Sequence, residues 1–259
     1  MTQLAADQVN AWIAKNIIRN LHIECSNSTQ VVIKQGSAVG ADDGSIVMEA
    51  GADITVDITN SGVNGLDQGS EASDTWYYIY MIWNPSTETV AGLLSASSSN
   101  PTLPSGYDKK RLVGAVRNDG SSNFKHFLQR GNLVTASETV FSTTWQTNSW
   151  RTYSLSSLVP VMTASVYYDT YQYPSNGSEA SWGVFAASPD RDTSRMTRIG
   201  SVDTSTYYAT DGSDRHSTKY LSVLVPIVNQ TLQVYLHSSD TFTPARNCHV
   251  RVSGYTIDL

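Results

Sequence analysis

The chain has 259 residues and a formal net charge of −6, and only 15% of its residues are charged. This length suits one large β domain or two smaller ones, with a surface hydrated mainly by hydroxyl and amide groups. Nucleic-acid binding is disfavoured because the densest basic patch is only Lys109-Lys110-Arg111. Because no apolar run approaches membrane-spanning length and residues 1–7 show no secretory pattern, we expect no membrane insertion.

The first predicted element is a helix over residues 3–21. Trp12 lies beside four apolar residues that recur at a spacing of four: Val9, Ile13, Ile17 and Leu21. This stripe must be buried against its own domain, against the same stripe of sister chains, or against a larger particle. Of these alternatives we favour packing on its own domain.

Residues 22–60 change to an apolar spacing of two, which predicts strands at 31–33, 46–48 and 54–58 with a turn at 41–45. A loop follows over residues 61–70. Residues 76–83 are apolar or aromatic in both alternate sets. Such a strand is covered on both faces, by a second sheet, a helix or a neighbouring subunit.

The pattern then predicts a hairpin, with arms at residues 112–117 and 124–128 and a bend at Asp119-Gly120. We expect a domain boundary near residues 131–137, which divides the chain into 1–134 and 135–259. The second part predicts eight short strands: 141–146, 150–155, 162–173, 181–187, 196–200, 218–227, 231–237 and 247–257. The predicted fold is mainly β: an N-terminal helix, a small β domain and a C-terminal β-sandwich, for which a jelly-roll is one candidate.

Several consecutive segments carry a resemblance to a known family. They include the aromatic strand Trp76-Tyr-Tyr-Ile-Tyr80, the connection Pro101-Thr-Leu-Pro-Ser-Gly-Tyr107 and the strand and turn at 111–120. Over residues 74–132 the chain resembles a module of bacteriophage and prophage virion structural proteins, chiefly tail-fibre and other fibre or spike components. Residues 250–255 resemble the final strand of such proteins, whereas residues 1–60 show no match.

The resemblance implies a virion structural protein, frequently a homotrimer, that is assembled in the host bacterial cytoplasm. It supplies no catalytic residue. Independently, the acidic pairs lie in Gly/Ser-rich turns, where Asp side chains cap the backbone: Asp42-Asp43, Asp190/Asp192 and Asp211/Asp214. No histidine lies in a known catalytic signature, so we expect no enzyme and no cofactor.

The cysteines and neighbouring histidines suggest a zinc site only superficially. His22, Cys25, Cys248 and His249 would be the four ligands. Adjacent residues of a strand point to opposite faces, so Cys248 and His249 would not easily share one ion. We therefore predict no metal site and two free thiols.

Tyrosine and tryptophan, at 14 and 6 residues, are suited to half-hydrated interfaces because each ring carries a polar group. Six of them are the candidate ligand-binding residues: Tyr167, Tyr171, Tyr173, Trp182, Tyr207 and Tyr208. The favoured interpretation is that these rings fill the sandwich core or an oligomer interface. The alternative is a stacking platform for carbohydrate on the host surface.

The resemblance, taken together with these patterns, implies a fibre or fibre-like appendage of a phage tail or head. Residues 1–134 would oligomerise and attach to other virion proteins, and the C-terminal sandwich would face the host. The amphipathic helix and the two-sided aromatic strand both favour a homotrimer. Two other functions stay open, a lectin-like binding module of a bacterial surface and a glycan-cleaving spike enzyme.

Overall fold

The structure is a computed structural model that describes residues 6–144, 149–173, 182–188, 197–203, 222–227, 229–238 and 247–259. Side chains are described for residues 10–140, 151–169, 224–227, 229–233 and 250–259. Contacts between residues divide the chain into two units. Unit 1 contains residues 1–134 and the terminal Leu259, and unit 2 contains residues 135–258.

The described part of unit 1 contains one helix and ten strands. Their bounds are α1 (Ala6–Lys15), β1 (Ile18–Arg19), β2 (His22–Cys25), β3 (Gln30–Ile33), β4 (Ala38–Gly40), β5 (Val47–Glu49), β6 (Ile54–Asp57), β7 (Trp76–Asn84), β8 (Thr89–Ser95), β9 (Lys109–Arg117) and β10 (Leu128–Arg130). They form three antiparallel sheets with the orders β1-β4-β5, β10-β2-β3-β6 and β8-β7-β9. The helix is shorter than predicted, because the chain after Lys15 pairs as β1 and β2 instead of continuing the helical turns.

Strand β7 is buried on both of its faces, as its sequence predicts. On one face, Tyr77, Ile79 and Met81 belong to the core of unit 1, together with residues of β2, β3 and β6. On the opposite face, Tyr80 is 1% exposed, and its hydroxyl donates a hydrogen bond to the Ser97 carbonyl at 2.9 Å. Tyr78 and Ile82 on this face are buried as well, within this single chain. The two-sided strand therefore needs no neighbouring subunit.

The predicted hairpin around Asp119-Gly120 is only partly formed. Strand β10 pairs with β2 instead of β9, and a single bridge joins Asn118 to Phe124. The carboxylate of Asp119 accepts hydrogen bonds from the backbone N–H groups of Ser121 and Asn123 at 2.8 and 3.0 Å. Such capping stabilises a loop longer than the predicted two-residue bend, and the second arm pairs with β2 in another sheet.

Unit 2 has eight strands in its described part, close to the eight that the sequence predicts. Their bounds are β11 (Leu133–Thr144), β12 (Ser149–Ser154), β13 (Thr163–Tyr173), β14 (Trp182–Ser188), β15 (Thr197–Asp203), β16 (Ser222–Pro226), β17 (Thr231–Ser238) and β18 (Asn247–Ile257). They are divided between two four-stranded arrays, β16-β13-β18-β11 and β12-β17-β14-β15. This order is that of a jelly-roll, in which two interlocked Greek keys build the sandwich.

The jelly-roll core explains the alternation along β13. Val166 and Tyr168 are fully buried, together with Val250 and Val252 of the neighbouring β18. Strand β15 of the second array contacts β13, so the two arrays face each other across this core. The predicted β-sandwich is therefore confirmed.

Close packing between β8 and β6 in unit 1 depends on a glycine. A methyl group built on Gly92 would overlap the Val56 side chain, which is fully buried. We expect Gly92→Ala to lower the free energy of unfolding by about 1–3 kcal/mol, since overpacking forces neighbouring strands apart. Chemical denaturation measures this change.

Gly51→Ala is the matched control for Gly92→Ala. No heavy atom lies within 4 Å of a methyl group at Gly51, so we expect a change of less than about 0.5 kcal/mol. Equal effects of the two substitutions would show that the tight contact at Gly92 does not limit stability.

Candidate interaction surface

Helix α1 presents large apolar side chains to solvent. Trp12 is 66% exposed and Ile13 is 51% exposed. We call Trp12, Ile13 and the exposed Asn16 the outer face of α1. The expectation that this stripe packs on its own domain is wrong for Ile13. Contiguous apolar patches on a surface mark interaction sites, so we take this pair as part of a candidate interaction surface.

The opposite face of α1 consists of alanines and packs on a glycine platform. A methyl group on Gly40 would overlap the Ala14 carbonyl, and one on Gly44 would overlap the Ala11 carbonyl. The helix backbone therefore lies directly against the backbone of β4 and of the turn that follows it. Only glycine permits such an approach, and at Gly44 a φ of 71° adds a second requirement for this residue.

The turn that supports α1 is held by the carboxylate of Asp43. It accepts hydrogen bonds from the Ser45 hydroxyl at 2.6 Å and from the Ser45 N–H at 3.0 Å, and it lies 3.0 Å from the Lys109 ammonium. These donors, the Ser45 hydroxyl first, lower the pKa of Asp43 to about 2. Because Lys109 belongs to β9, the ion pair connects the turn to the β8-β7-β9 sheet.

Val47 extends the apolar surface beside the helix. It pairs with Gly40 across β4 and β5, and directly paired residues of antiparallel strands point to the same face. Since α1 packs on that face at Gly40, Val47 lies on the helix side of the sheet, where it is 42% exposed. Its neighbour Met48 points the other way and is fully buried.

The helix ends at a defined cap, which fixes the direction of the outer face. The Asn16 side-chain amide donates to the Trp12 carbonyl at 2.7 Å, and the Asn16 N–H donates to the Ile13 carbonyl at 3.2 Å. The chain then crosses directly to the platform, where the Gly40 N–H donates to the Ile17 carbonyl at 3.0 Å. Both ends of the last turn are therefore held by hydrogen bonds.

The predicted aromatic ligand-binding residues do not share one strand array. Tyr167 is half-buried on β13, and Tyr171 and Tyr173 follow it along the same strand. Trp182 begins β14, which belongs to the other array. The side chains of Tyr171, Tyr173 and Trp182 lie outside the described part of the structure, as do Tyr207 and Tyr208 entirely.

The described cysteine is a shielded thiol. Cys25 is free, and its Sγ donates a hydrogen bond to the Asn27 carbonyl at 3.1 Å. Burial raises the pKa of Cys25 to about 11, so the reactive thiolate is scarce at neutral pH. Across the described ranges, no three His, Cys, Asp or Glu side chains are grouped closely enough to hold a metal ion. The side chains of Cys248 and His249 lie outside the description.

Sequence reasoning identified the apolar stripe of α1 but missed the side on which it lies. The signal was present in Ala11 and Ala14 on one side of the helix and in Gly40 and Gly44 downstream. Small residues facing glycines allow two backbones to meet, which turns the large residues outward. Within the described residues, no helix has the length and apolarity needed to cross a bilayer.

Comparison with known proteins gives few relatives. No protein-family model and no curated protein matches the chain. A crystal structure of the infectious bursal disease virus VP2 subviral particle is 11% identical, with a TM-score of 0.27, covering 94% of this chain and 72% of that chain. The structure of the Gt strain of the same virus is 12% identical, with a TM-score of 0.22, covering 93% and 71%.

A mutant VP2 protein in derived T=1 particles of that virus is 11% identical, with a TM-score of 0.21 and coverage of 94% and 76%. All three structures are from infectious bursal disease virus by description. At these TM-scores the likeness establishes neither a shared fold nor a shared function.

The lowered pKa of Asp43 predicts an acid-sensitive platform. A carboxyl with a folded-state pKa below its ordinary value of 3.8 stabilises the folded state above pH 4, and this contribution is lost as the pH falls toward 2. We expect Asp43→Asn to reduce the loss of stability between about pH 4 and pH 2. Denaturation curves at several pH values measure this slope.

Glu88→Gln serves as the control, since it removes an exposed carboxylate from the turn between β7 and β8. The Asp43 assignment is contradicted if both variants retain the same pH dependence as the unaltered protein.

Proposed function

We propose that this chain is a structural component of a bacteriophage or prophage virion, a fibre or fibre-like appendage of tail or head. Unit 1 oligomerises and attaches to other virion proteins, and the jelly-roll of unit 2 faces the host or the solvent. The protein is not an enzyme in this proposal, since the described carboxylates serve turns and ion pairs. The resemblance over residues 74–132 supports the virion assignment, and the outer face of α1 supports the attachment role.

The exposed outer face of α1 is the observation that carries this proposal. Trp12 and Ile13 lie on a helix that is fixed by its cap and by the glycine platform, so the apolar group is presented in one orientation. Burying one such large side chain at an interface contributes about 1.5–3 kcal/mol. A rigid apolar pair of this kind is suited to a permanent assembly, in which a sister chain or another virion protein covers it.

The proposed homotrimer rests on α1 and no longer on the aromatic strand. Strand β7 was expected to require a neighbour, but residues of its own chain bury Tyr80 and the rest of that face. We therefore place the partner surface at the outer face of α1 and no longer at β7. Threefold symmetry remains an inference from the resemblance to fibre proteins, which are frequently trimers.

Unit 2 is the proposed contact with host-surface carbohydrate. On the outward side of β13, Tyr167 is half-buried and its neighbour Asp169 lies 3.6 Å from the Arg251 guanidinium. The Ser253 hydroxyl donates to Asp169 at 3.1 Å. Aromatic rings beside hydrogen-bonding groups are suited to sugars, which present both apolar ring faces and hydroxyls.

A lectin-like module of a bacterial surface is the second candidate, because jelly-rolls serve both lectins and virion proteins. Such a module would bind sugar as a monomer through unit 2, and the outer face of α1 would have no part in assembly. Calcium-dependent sugar binding by a monomer would favour this alternative.

In this proposal, assembly depends on the two apolar side chains of the outer face of α1. We expect the double substitution Trp12→Ser and Ile13→Ser to shift the protein toward its 28.2 kDa protomer without unfolding it, since both side chains are exposed in the protomer. Each lost contact removes about 2 kcal/mol of association free energy. Light scattering after gel filtration measures the mass, and circular dichroism confirms the fold.

A double substitution in unit 2, Val161→Ser with Leu224→Ser, is the matched control. These residues are 60% and 41% exposed, similar to the pair on α1. We expect the control to keep the mass of the unaltered protein. A mass unchanged by the α1 substitutions would contradict the assembly role of the helix.

In this proposal, carbohydrate binding depends on aromatic rings of unit 2. If unit 2 stacks sugars on its aromatic rings, Tyr171→Ala or Trp182→Ala should weaken glycan-array binding by roughly thirtyfold or more, the effect of losing about 2 kcal/mol at a central aromatic residue. Tyr107→Ala, which alters a tyrosine of unit 1, should leave binding unchanged. Full binding by both unit 2 variants, with intact folding, would exclude these residues from the site.

A further inference from the structure

Three turns of unit 1 meet around a cleft of about 510 Å³. Each turn contains a residue with left-handed backbone geometry: Asn20 at a φ of 52°, Gly36 at 81° and Gly131 at 58°. The turns are tied down, since the Gly131 N–H donates to the Leu21 carbonyl and the Gly36 N–H donates to the Ala50 carbonyl, both at 2.8 Å. The cleft is therefore a preformed feature, and its volume is that of a small-molecule site.

The exposed Arg130 lines the cleft and forms no ion pair with the surrounding described residues. Arg130 of β10 pairs in register with His22 of β2, so both side chains lie on the same face of the sheet. Within the described residues, the Arg130 guanidinium has no carboxylate within ion-pairing distance. The other nearby cation, Lys34, lies 2.5 Å from Asp53 and 3.4 Å from Glu24.

His22 provides a neutral polar group next to this cation. Burial lowers the pKa of His22, and the Arg130 charge lowers it further, while the Glu24 carboxylate opposes them in part. These effects favour the uncharged imidazole. Its Nε2 is buried without a hydrogen-bond partner among the described residues, and a Glu24 carboxylate oxygen lies 3.5 Å away.

The remaining walls combine amides with apolar surface. Gln35 and Asn20 line the cleft, and the Gln35 amide nitrogen is held by the Gly51 carbonyl at 3.0 Å. Ile18, which is 36% exposed, and the buried Leu21 supply the apolar part. Amides both donate and accept hydrogen bonds, so they match hydroxyl groups, and the apolar side chains match a ring face.

We propose that this cleft binds a carboxylate-bearing sugar unit, such as a uronic acid of a bacterial polysaccharide. Arg130 pairs with the carboxylate through its planar, forked donors. Asn20 and Gln35 bind hydroxyls, and Ile18 contacts the ring. This site lies in unit 1 and is independent of the sugar contact proposed for unit 2, so either can fail without the other.

A sugar acid fits these observations better than a simple anion. A free carboxylate or phosphate would use Arg130 alone and leave the amide and apolar walls without a role. A neutral sugar would leave the guanidinium unpaired. The combination of one unpaired cation, amides and a small apolar wall matches a ligand with one negative group on a hydroxylated ring.

Saturation-transfer NMR on the full chain tests the proposal with three probes: methyl glucuronide, methyl glucoside and acetate. We expect saturable binding of the glucuronide with a dissociation constant on the order of 1 mM, and much weaker binding of the other two. Arg130→Ala should weaken glucuronide binding roughly tenfold or more, and Arg130→Lys should weaken it less, because lysine keeps the charge but not the fork.

Arg19→Ala is the matched control, since it removes an arginine of unit 1 that already pairs with Glu49 at 2.8 Å. Its binding should equal that of the unaltered protein. Acetate binding as tight as glucuronide would overturn the sugar assignment. Absence of glucuronide binding at about 10 mM, or equal losses in Arg19→Ala and Arg130→Ala, would overturn the site.

Discussion

The contact between the backbone of α1 and the backbone at Gly40 and Gly44 is the constraint on which the surface of unit 1 depends. The helix approaches so closely that only glycines below and alanines above fit between the two chains. Because the alanine side of the helix packs on unit 1, the large apolar residues Trp12 and Ile13 on the other side face away from the unit. The tight contact on one side of the helix therefore leaves the apolar side chains of the other side exposed in a fixed orientation.

Elsewhere in unit 1, the aromatic strand and the turn under α1 are buried or held by residues of the same chain. The aromatic strand β7 is covered on both faces by its own chain, and the turn under α1 is secured by Asp43, Ser45 and Lys109. The contacts that stabilise unit 1 and the contact that we propose with a partner therefore use different residues. On the jelly-roll of unit 2, Tyr167 is half-buried on the strand where we propose a contact with carbohydrate.

The sequence predicts features that depend on local alternation, and it fails where distant groups decide. Strand β7 and the eight strands of unit 2 follow from their apolar spacing, because burial imposes that spacing directly. The hairpin at Asp119 was mispredicted because side-chain capping widened the loop. The orientation of α1 depended on glycines more than twenty residues away, and the Arg130 cleft joins three turns that are remote in sequence. Such juxtapositions leave no periodic signal.

The mass of the unaltered protein in solution tests the central claim most directly. If the outer face of α1 is a partner surface between copies of this chain, sedimentation analysis over a range of concentrations will give a multiple of the 28.2 kDa protomer, three copies in the simplest case. A mass of one protomer at every concentration would contradict self-association through this helix.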